Sequence, residues 1–232
     1  MQTSLIIGGN RGIGSVVVSS LKKRGDIIYT ASRKSSEEKN HITFDISKDC
    51  SGVFDNITTL NNLVFTHRYR GNDWQETFNV TVEGVMKVIQ ATISKFTKGG
   101  SVVVISSNAS RFIETEQPAE YHSSRSALES LMRHCAVYYG TQGIRFNSIL
   151  PATLIKPENI DFFVDGNKVK EMIEKITPLG RMGEAVDVAN LIEFLCSEKS
   201  SFITGNSFFL DGGVSLVGQE TIARDLLDLK HK

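Results

Sequence analysis

Apolar positions along the chain fall into two rhythms that alternate. Short runs bounded by turn residues predict seven strands, at Leu5–Ile7, Asp26–Ala31, His41–Phe44, Leu63–Phe65, Ser101–Ile105, Arg145–Leu150 and Ser207–Leu210. Between them the apolar spacing is helical. Ile13, Val16, Val17 and Leu21 share one face; a long helix from Asp73 carries Phe78, Val82, Val85, Met86, Ile89 and Ile93 to Phe96 and is closed by Gly99-Gly100; Leu128, Leu131, Met132, Cys135 and Val137 mark another; a fourth runs from Glu184 to Cys196. Strand, helix and strand within about thirty residues require a right-handed crossover and parallel pairing. The pattern predicts one α/β domain: a Rossmann-type, doubly wound, mostly parallel seven-stranded sheet with helices on both faces.

Composition narrows the partners. A chain of 232 residues can bury a sizeable core as one domain, and its 26 basic and 26 acidic side chains give no net field directed at nucleic acid or an anionic membrane. Cys50, Cys135 and Cys196 are odd in number and outside metal-ligand spacing, so they read as reduced packing thiols, and no metal site is expected. The first strand begins almost at once, no apolar run is long enough to span a bilayer, and a cytoplasmic location is expected.

The chemistry starts at the first strand-to-helix turn, Gly8-Gly9-Asn10-Arg11-Gly12-Ile13-Gly14. Glycines there let backbone approach a pyrophosphate, and the helix start offers unpaired N–H groups and a partial positive charge to it. The second strand ends in Ser32-Arg33-Lys34, where an NAD site needs a carboxylate for the ribose hydroxyls. Arg11 and Arg33 instead suit a 2′-phosphate, which points to NADP(H); the other reading of this run is a solvated basic turn. Ser106-Ser107 comes at the carboxyl end of the fifth strand, and Tyr121 and Arg125 lie one helical turn apart further on. A phenol with a pKa of about 10 exchanges protons poorly at neutral pH unless a nearby cation stabilises its phenolate, which Arg125 at i+4 supplies. Ser107 would donate to a substrate oxygen.

The spacing Gly-x-x-x-Gly-x-Gly, with Ser107 upstream of Tyr-x-x-x-Arg and with Pro178-Leu179-Gly180-Arg181 and Asp211-Gly212-Gly213 near the end, resembles the short-chain dehydrogenase/reductase family over residues 4–213. The resemblance implies that Gly8, Asn10, Arg11, Gly12, Ile13, Gly14, Ser32, Arg33, Tyr121 and Arg125 hold the cofactor. It also implies that Asp45 and Ile46 meet the adenine ring, although an Asp closing a strand serves turn chemistry as well. The catalytic set carried over is Ser107, Tyr121, Arg125 and Thr81, with Thr81 where relatives place a water-holding Asn and Arg125 where they place Lys. Phe65-Thr66-His67-Arg68 replaces the small Asn-Asn-Ala-Gly run, so His67, Arg68 and Arg70 form a basic cluster that either binds an anion or is a solvated turn.

Residues 158–176, with Phe162, Phe163 and Met172, resemble the family's substrate lid, where Lys156, Asn159 and Lys168 would face an acidic substrate; the other reading is an apolar flap that simply covers core. Residues 1–213 form the dinucleotide-binding domain and 214–232 a C-terminal amphipathic tail of the same domain. The expected function is NADPH-dependent reduction of a ketone or aldehyde, or oxidation of the alcohol, by a homodimer or homotetramer assembled on the helices from Asp73 and Tyr121. The alternative is an impaired family member that binds NADP(H) as a sensor or assembly partner.

Overall fold

The computed structural model describes residues 1–229. Strands β1 (Thr3–Ile7), β2 (Ile27–Ser32), β3 (His41–Thr43), β4 (Leu60–Phe65), β5 (Phe96–Ile105) and β6 (Arg145–Pro151) alternate with helices. A short pair follows, β7 (Leu154–Ile155) with β8 (Gly183–Glu184), and β9 (Ser207–Leu210) closes the main sheet. The main sheet has seven strands in the order β3-β2-β1-β4-β5-β6-β9, and every pairing in it is parallel. Strand order reverses between β1 and β4, so the carboxyl ends of those two strands open a crevice, the place where doubly wound sheets bind ligands.

Alternate residues of the central strands feed two separate cores. Leu5 and Ile7 of β1, Leu63 and Phe65 of β4, and Val102 and Val104 of β5 face one side, packing with Val85, Val88 and Ile89 of α3 (Gly84–Thr92) and Leu128, Met132 and Cys135 of α4 (Ala119–Tyr138). Ile6, Val64, Val103 and Ile105 face the other, against Val17 and Leu21 of α1 (Gly12–Arg24) and Val188, Ile192 and Leu195 of α6 (Ala185–Leu195). Each fully buried aliphatic side chain of this kind contributes roughly 1.5–3 kcal/mol. With two such layers the sheet holds without cross-links, and Cys50, Cys135 and Cys196 are free and buried. Burial pushes the Cys135 and Cys196 thiols up to about 11 and about 12, as packing residues require.

The helix expected from Asp73 to Phe96 is not continuous. Asp73 caps α2 (Trp74–Phe78) by accepting from Glu76 N at 2.7 Å, a π turn spans Asn79–Glu83, and α3 ends at Thr92. The π turn presents the Val80 carbonyl to His67 Nε2 at 3.1 Å, a partner that helical periodicity does not register. Phe96 belongs to β5, where it pairs with Leu60, and Gly99-Gly100 lie inside that strand beside a register shift rather than at a helix stop. In the tail, α7 (Gln219–Leu226) packs on α5 (Lys168–Ile176), helped by a 2.5 Å ion pair between Lys175 and Asp228; residues 230–232 of the expected 214–232 tail lie outside the described residues. No helix among the described residues is long and apolar enough to cross a membrane.

Candidate active site

The crevice is a cavity of about 1200 Å3, and its wall includes the turn from Gly8 to Ile13, the β2 end at Ser32 and Arg33, Asp45 and Ile46, and Ser107, Tyr121 and Arg125. Residues expected from distant parts of the sequence to hold one dinucleotide and one carbonyl thus line a single space.

The glycine turn explains its own composition. Gly8 and Gly12 have φ of +90° and +55°, and a Cβ on Gly14 would lie 2.2 Å from the Gly8 carbonyl oxygen and 2.6 Å from Thr66 Oγ1. A side chain at position 14 would drive β1 and α1 apart. Arg11 at the start of α1 makes no side-chain cap and the first turn holds no acid, so the helix offers its N–H groups outward. Asn10 Nδ2 donates to Ser32 Oγ at 3.0 Å, tying the turn to the β2 end where Arg33 is exposed. A narrow backbone cradle and an uncapped helix start fit the pyrophosphate of a dinucleotide, with two exposed guanidiniums beside it. Asp45 Oδ1 accepts from Ser47 N at 3.1 Å and Ser47 Oγ at 2.9 Å, so it builds its turn while still lining the cavity.

A competing charge stands in that cradle. A Cβ built on Gly12 would lie 2.7 Å from both carboxylate oxygens of Glu158, whose other contact is a 3.5 Å ion pair with Arg70. Sequence reasoning placed Glu158 only at the start of the expected lid, because nothing local to position 158 points to a glycine turn so far back in the chain.

The reacting end is assembled by β5 and α4. Ser107 caps the 3-10 turn Asn108–Ser110, its Oγ accepting from Ala109 N and donating to Asn108 Oδ1, each at 3.2 Å. Arg125 is buried; Nη1 donates to the Ile105 carbonyl at 3.1 Å, its guanidinium carbon lies 5.1 Å from the Tyr121 ring centroid, and Nε has no partner. Burial lowers its pKa, Tyr121 opposes the shift and Arg68 adds to it. Arg68 lies over the same ring at 4.9 Å. Thr81 is buried in the π turn and lines a second chamber behind Tyr121 rather than the crevice.

The cluster at His67, Arg68 and Arg70 does not act as one basic patch. Burial holds His67 down to about 4, so the ring is neutral near pH 7; Nε2 donates to Val80 O, and Nδ1 is left buried without a partner. Asn159 caps its own turn, accepting from Lys156 N at 2.6 Å, while it and Lys156 line the crevice; Lys168, at the start of α5, does not. His122, which sequence reasoning passed over as part of the Tyr-x-x-x-Arg spacing, holds the loop after Ser107. Its two ring nitrogens face the carbonyls of Ala109 at 2.7 Å and Glu114 at 3.0 Å. Against desolvation, those carbonyls raise its pKa above the ordinary value. No group of His, Cys, Asp and Glu among the described residues is placed to hold a metal.

Known proteins resemble the chain in sequence and in fold. Residues 41–215 match the family model described as enoyl-(acyl carrier protein) reductase. An L-rhamnose 1-dehydrogenase (NAD(P)(+)) of Sphingomonas is 36% identical over 143 residues, which are 60% of this chain and 56% of that enzyme. Senescence-associated protein 13 of Arabidopsis thaliana is 28% identical over 247 residues, covering 93% of this chain and 91% of its own. The crystal structure of an oxidoreductase from Burkholderia thailandensis superposes with a TM-score of 0.83 at 21% identity, over 99% of this chain and 98% of that one, which establishes the shared fold.

Proposed function

We propose that this chain, which belongs to the short-chain dehydrogenase/reductase family, is an NADPH-dependent reductase of a small ketone or aldehyde and catalyses the reverse oxidation of the alcohol. The observation that carries the reading is the single cavity lined by the glycine cradle, Arg33, Ser107, Tyr121 and Arg125. The cradle from Gly8 to Gly14 would receive the pyrophosphate, Arg11 and Arg33 the 2′-phosphate, Asp45 and Ile46 the adenine, and Arg125 the nicotinamide ribose. The nicotinamide, when bound, supplies the hydride.

The protein's own work is to place a carbonyl and deliver one proton. Ser107 Oγ turns its hydroxyl from Asn108 toward the substrate oxygen, which builds up negative charge as the carbonyl carbon is reduced. Tyr121 donates its phenolic proton to that oxygen, giving the alcohol, and the phenolate left behind faces the guanidinium of Arg125. Because Arg125 has no proton to release, it holds charge beside Tyr121 and the proton is replaced from solvent reaching the phenol. Thr81, which lines the chamber behind Tyr121, would hold a water on that route. The neutral His67 adds no charge, and the cations that lie over the Tyr121 ring are Arg68 and Arg125.

We assign the enzyme to the cytoplasm and to a homodimer or homotetramer built on α2, α3 and α4, where Trp74, Val137 and Tyr138 are exposed. The alternative, a family member that binds NADP(H) without turnover, draws on the engagement of Ser107 within its own turn. Following NADPH oxidation with a panel of ketones and aldehydes separates the two. Turnover that depends on Tyr121 supports the reductase; tight NADPH binding without turnover supports the alternative.

A further inference from the structure

The connection from Thr66 to Asp73 leaves a second chamber of about 390 Å3 behind the Tyr121 ring, between that loop, the π turn and the first turn of α4. Arg68, Arg70, Tyr121 and Arg125 border both this chamber and the crevice, so the phenol stands between them. Charge on its wall is unequal: three guanidiniums face one carboxylate, Glu120. Each guanidinium keeps some donor capacity in reserve. Among the described residues Arg68 reaches the neutral amide oxygen of Gln117, at 3.2 Å, and the Tyr121 ring. Arg125 keeps a buried Nε without a partner, and Arg70 spends its charge on Glu158 at a loose 3.5 Å.

A neutral ketone entering past Tyr121 gains nothing from these groups, and a cationic one is repelled. An oxyanion neutralises them and offers the planar, two-oxygen face that a guanidinium fork matches. Arg68 is the group best able to swing onto it, being exposed and bound to no carboxylate. We propose that the chamber receives a carboxylate or phosphate borne by the substrate, so that the enzyme reduces small anionic carbonyl compounds and Arg68 determines that specificity. The proposal rests on the reading of the chain as a carbonyl reductase, and its test has a binding arm that does not.

The test uses the full-length protein, wild type, R68Q and R68K. In the first arm, kcat/KM is measured with NADPH for succinic semialdehyde against butanal and for glyceraldehyde 3-phosphate against glyceraldehyde. The expected result is a preference for the charged member of at least one pair, reduced at least about tenfold in R68Q and partly restored in R68K, with the preferred pair distinguishing carboxylate from phosphate. In the second arm, calorimetry follows succinate and inorganic phosphate binding to the protein with and without NADP+; binding should persist with NADP+ bound, weaken at least about tenfold in R68Q and depend on salt.

If no carbonyl is reduced but Arg68-dependent anion binding persists, the chamber stands and the reductase reading falls. Anion binding that is absent, unchanged in R68Q, or abolished by NADP+ would overturn the proposal, the last because the site would then belong to the cofactor's own phosphates. Equal preference for charged and neutral substrates in an active wild type would overturn it as well.

Discussion

Arg125 Nη1 donates to the carbonyl oxygen of Ile105 at 3.1 Å, which fixes the guanidinium at the carboxyl end of β5 while α4 holds Tyr121 beside it. A lysine at position 125 would keep the charge but lose the planar fork that reaches two directions at once. Arg125→Lys should therefore lower kcat by roughly tenfold and leave the protein folded. Arg125→Met, which leaves the Ile105 carbonyl without this donor and the phenol without its buried cation, should remove most activity. Steady-state kinetics beside circular dichroism checks both; equal kcat for wild type and Arg125→Met would remove Arg125 from the mechanism.

The glycine turn makes a stability prediction with an internal control. Gly14→Ala forces a methyl group to within 2.2 Å of the Gly8 oxygen, so it should destabilise by more than about 2 kcal/mol and weaken NADPH binding. Gly25, the left-handed cap of α1, has φ of +96° and nothing within 4 Å of a built Cβ. Gly25→Ala should cost only the backbone term, about 1–2 kcal/mol, and leave NADPH affinity unchanged. Urea unfolding and fluorescence titration read both quantities.

His67 gives the stability a pH dependence whose sign follows from its burial. A ring held at about 4 when folded, against an ordinary 6.5, binds fewer protons folded than unfolded. Its contribution is complete above pH 6.5 and is lost as the pH falls from 6.5 toward 4, by on the order of 2–3 kcal/mol. The difference in unfolding free energy between wild type and His67→Gln should shrink over that interval. A difference constant from pH 7 to pH 4.5 would contradict the assignment.

Glu158 stands where an anion is expected, against Gly12 at the start of α1. A cofactor phosphate must displace its charge or bind against it, so Glu158→Gln should tighten NADPH binding by about 1 kcal/mol, roughly fivefold. Fluorescence titration at low salt decides this. Unchanged or weaker binding would mean that Glu158 leaves the cradle freely or helps to hold the cofactor.

What the sequence made legible depended on whether the determinant was local. The strands, their order of appearance and the glycine turn follow from short apolar runs and from glycines whose necessity is a matter of backbone contact, and the structure places Ser107, Tyr121 and Arg125 on the one cavity that the turn opens into. The break in the helix after Phe78 was not legible, because Asn79–Glu83 keeps an apolar helical pattern and the π turn is answered by His67 from another element. Nor was the division of the basic cluster, since whether His67 carries charge is decided by its burial and Arg68's position by the ring of Tyr121. The start of β5 at Phe96 was hidden because its pairing with Leu60 is a contact between strands and leaves no period in either.

The proposed preference for NADPH draws on Arg11 and Arg33, both exposed on the crevice wall. A charge-assisted contact to phosphate contributes about 1.5–3 kcal/mol, so NADPH should bind at least about tenfold tighter than NADH, and Arg33→Ala should remove most of that difference. Equal affinities for the two cofactors in the wild type would refute the assignment.

The central claim is that Tyr121 delivers the proton, and the most direct measurement is NADPH oxidation by Tyr121→Phe beside an NADPH binding titration of the same variant. The account predicts unchanged NADPH affinity with turnover reduced on the order of 10²- to 10⁴-fold, the usual contribution of a positioned acid. Turnover equal to wild type in a variant that binds NADPH normally would contradict it.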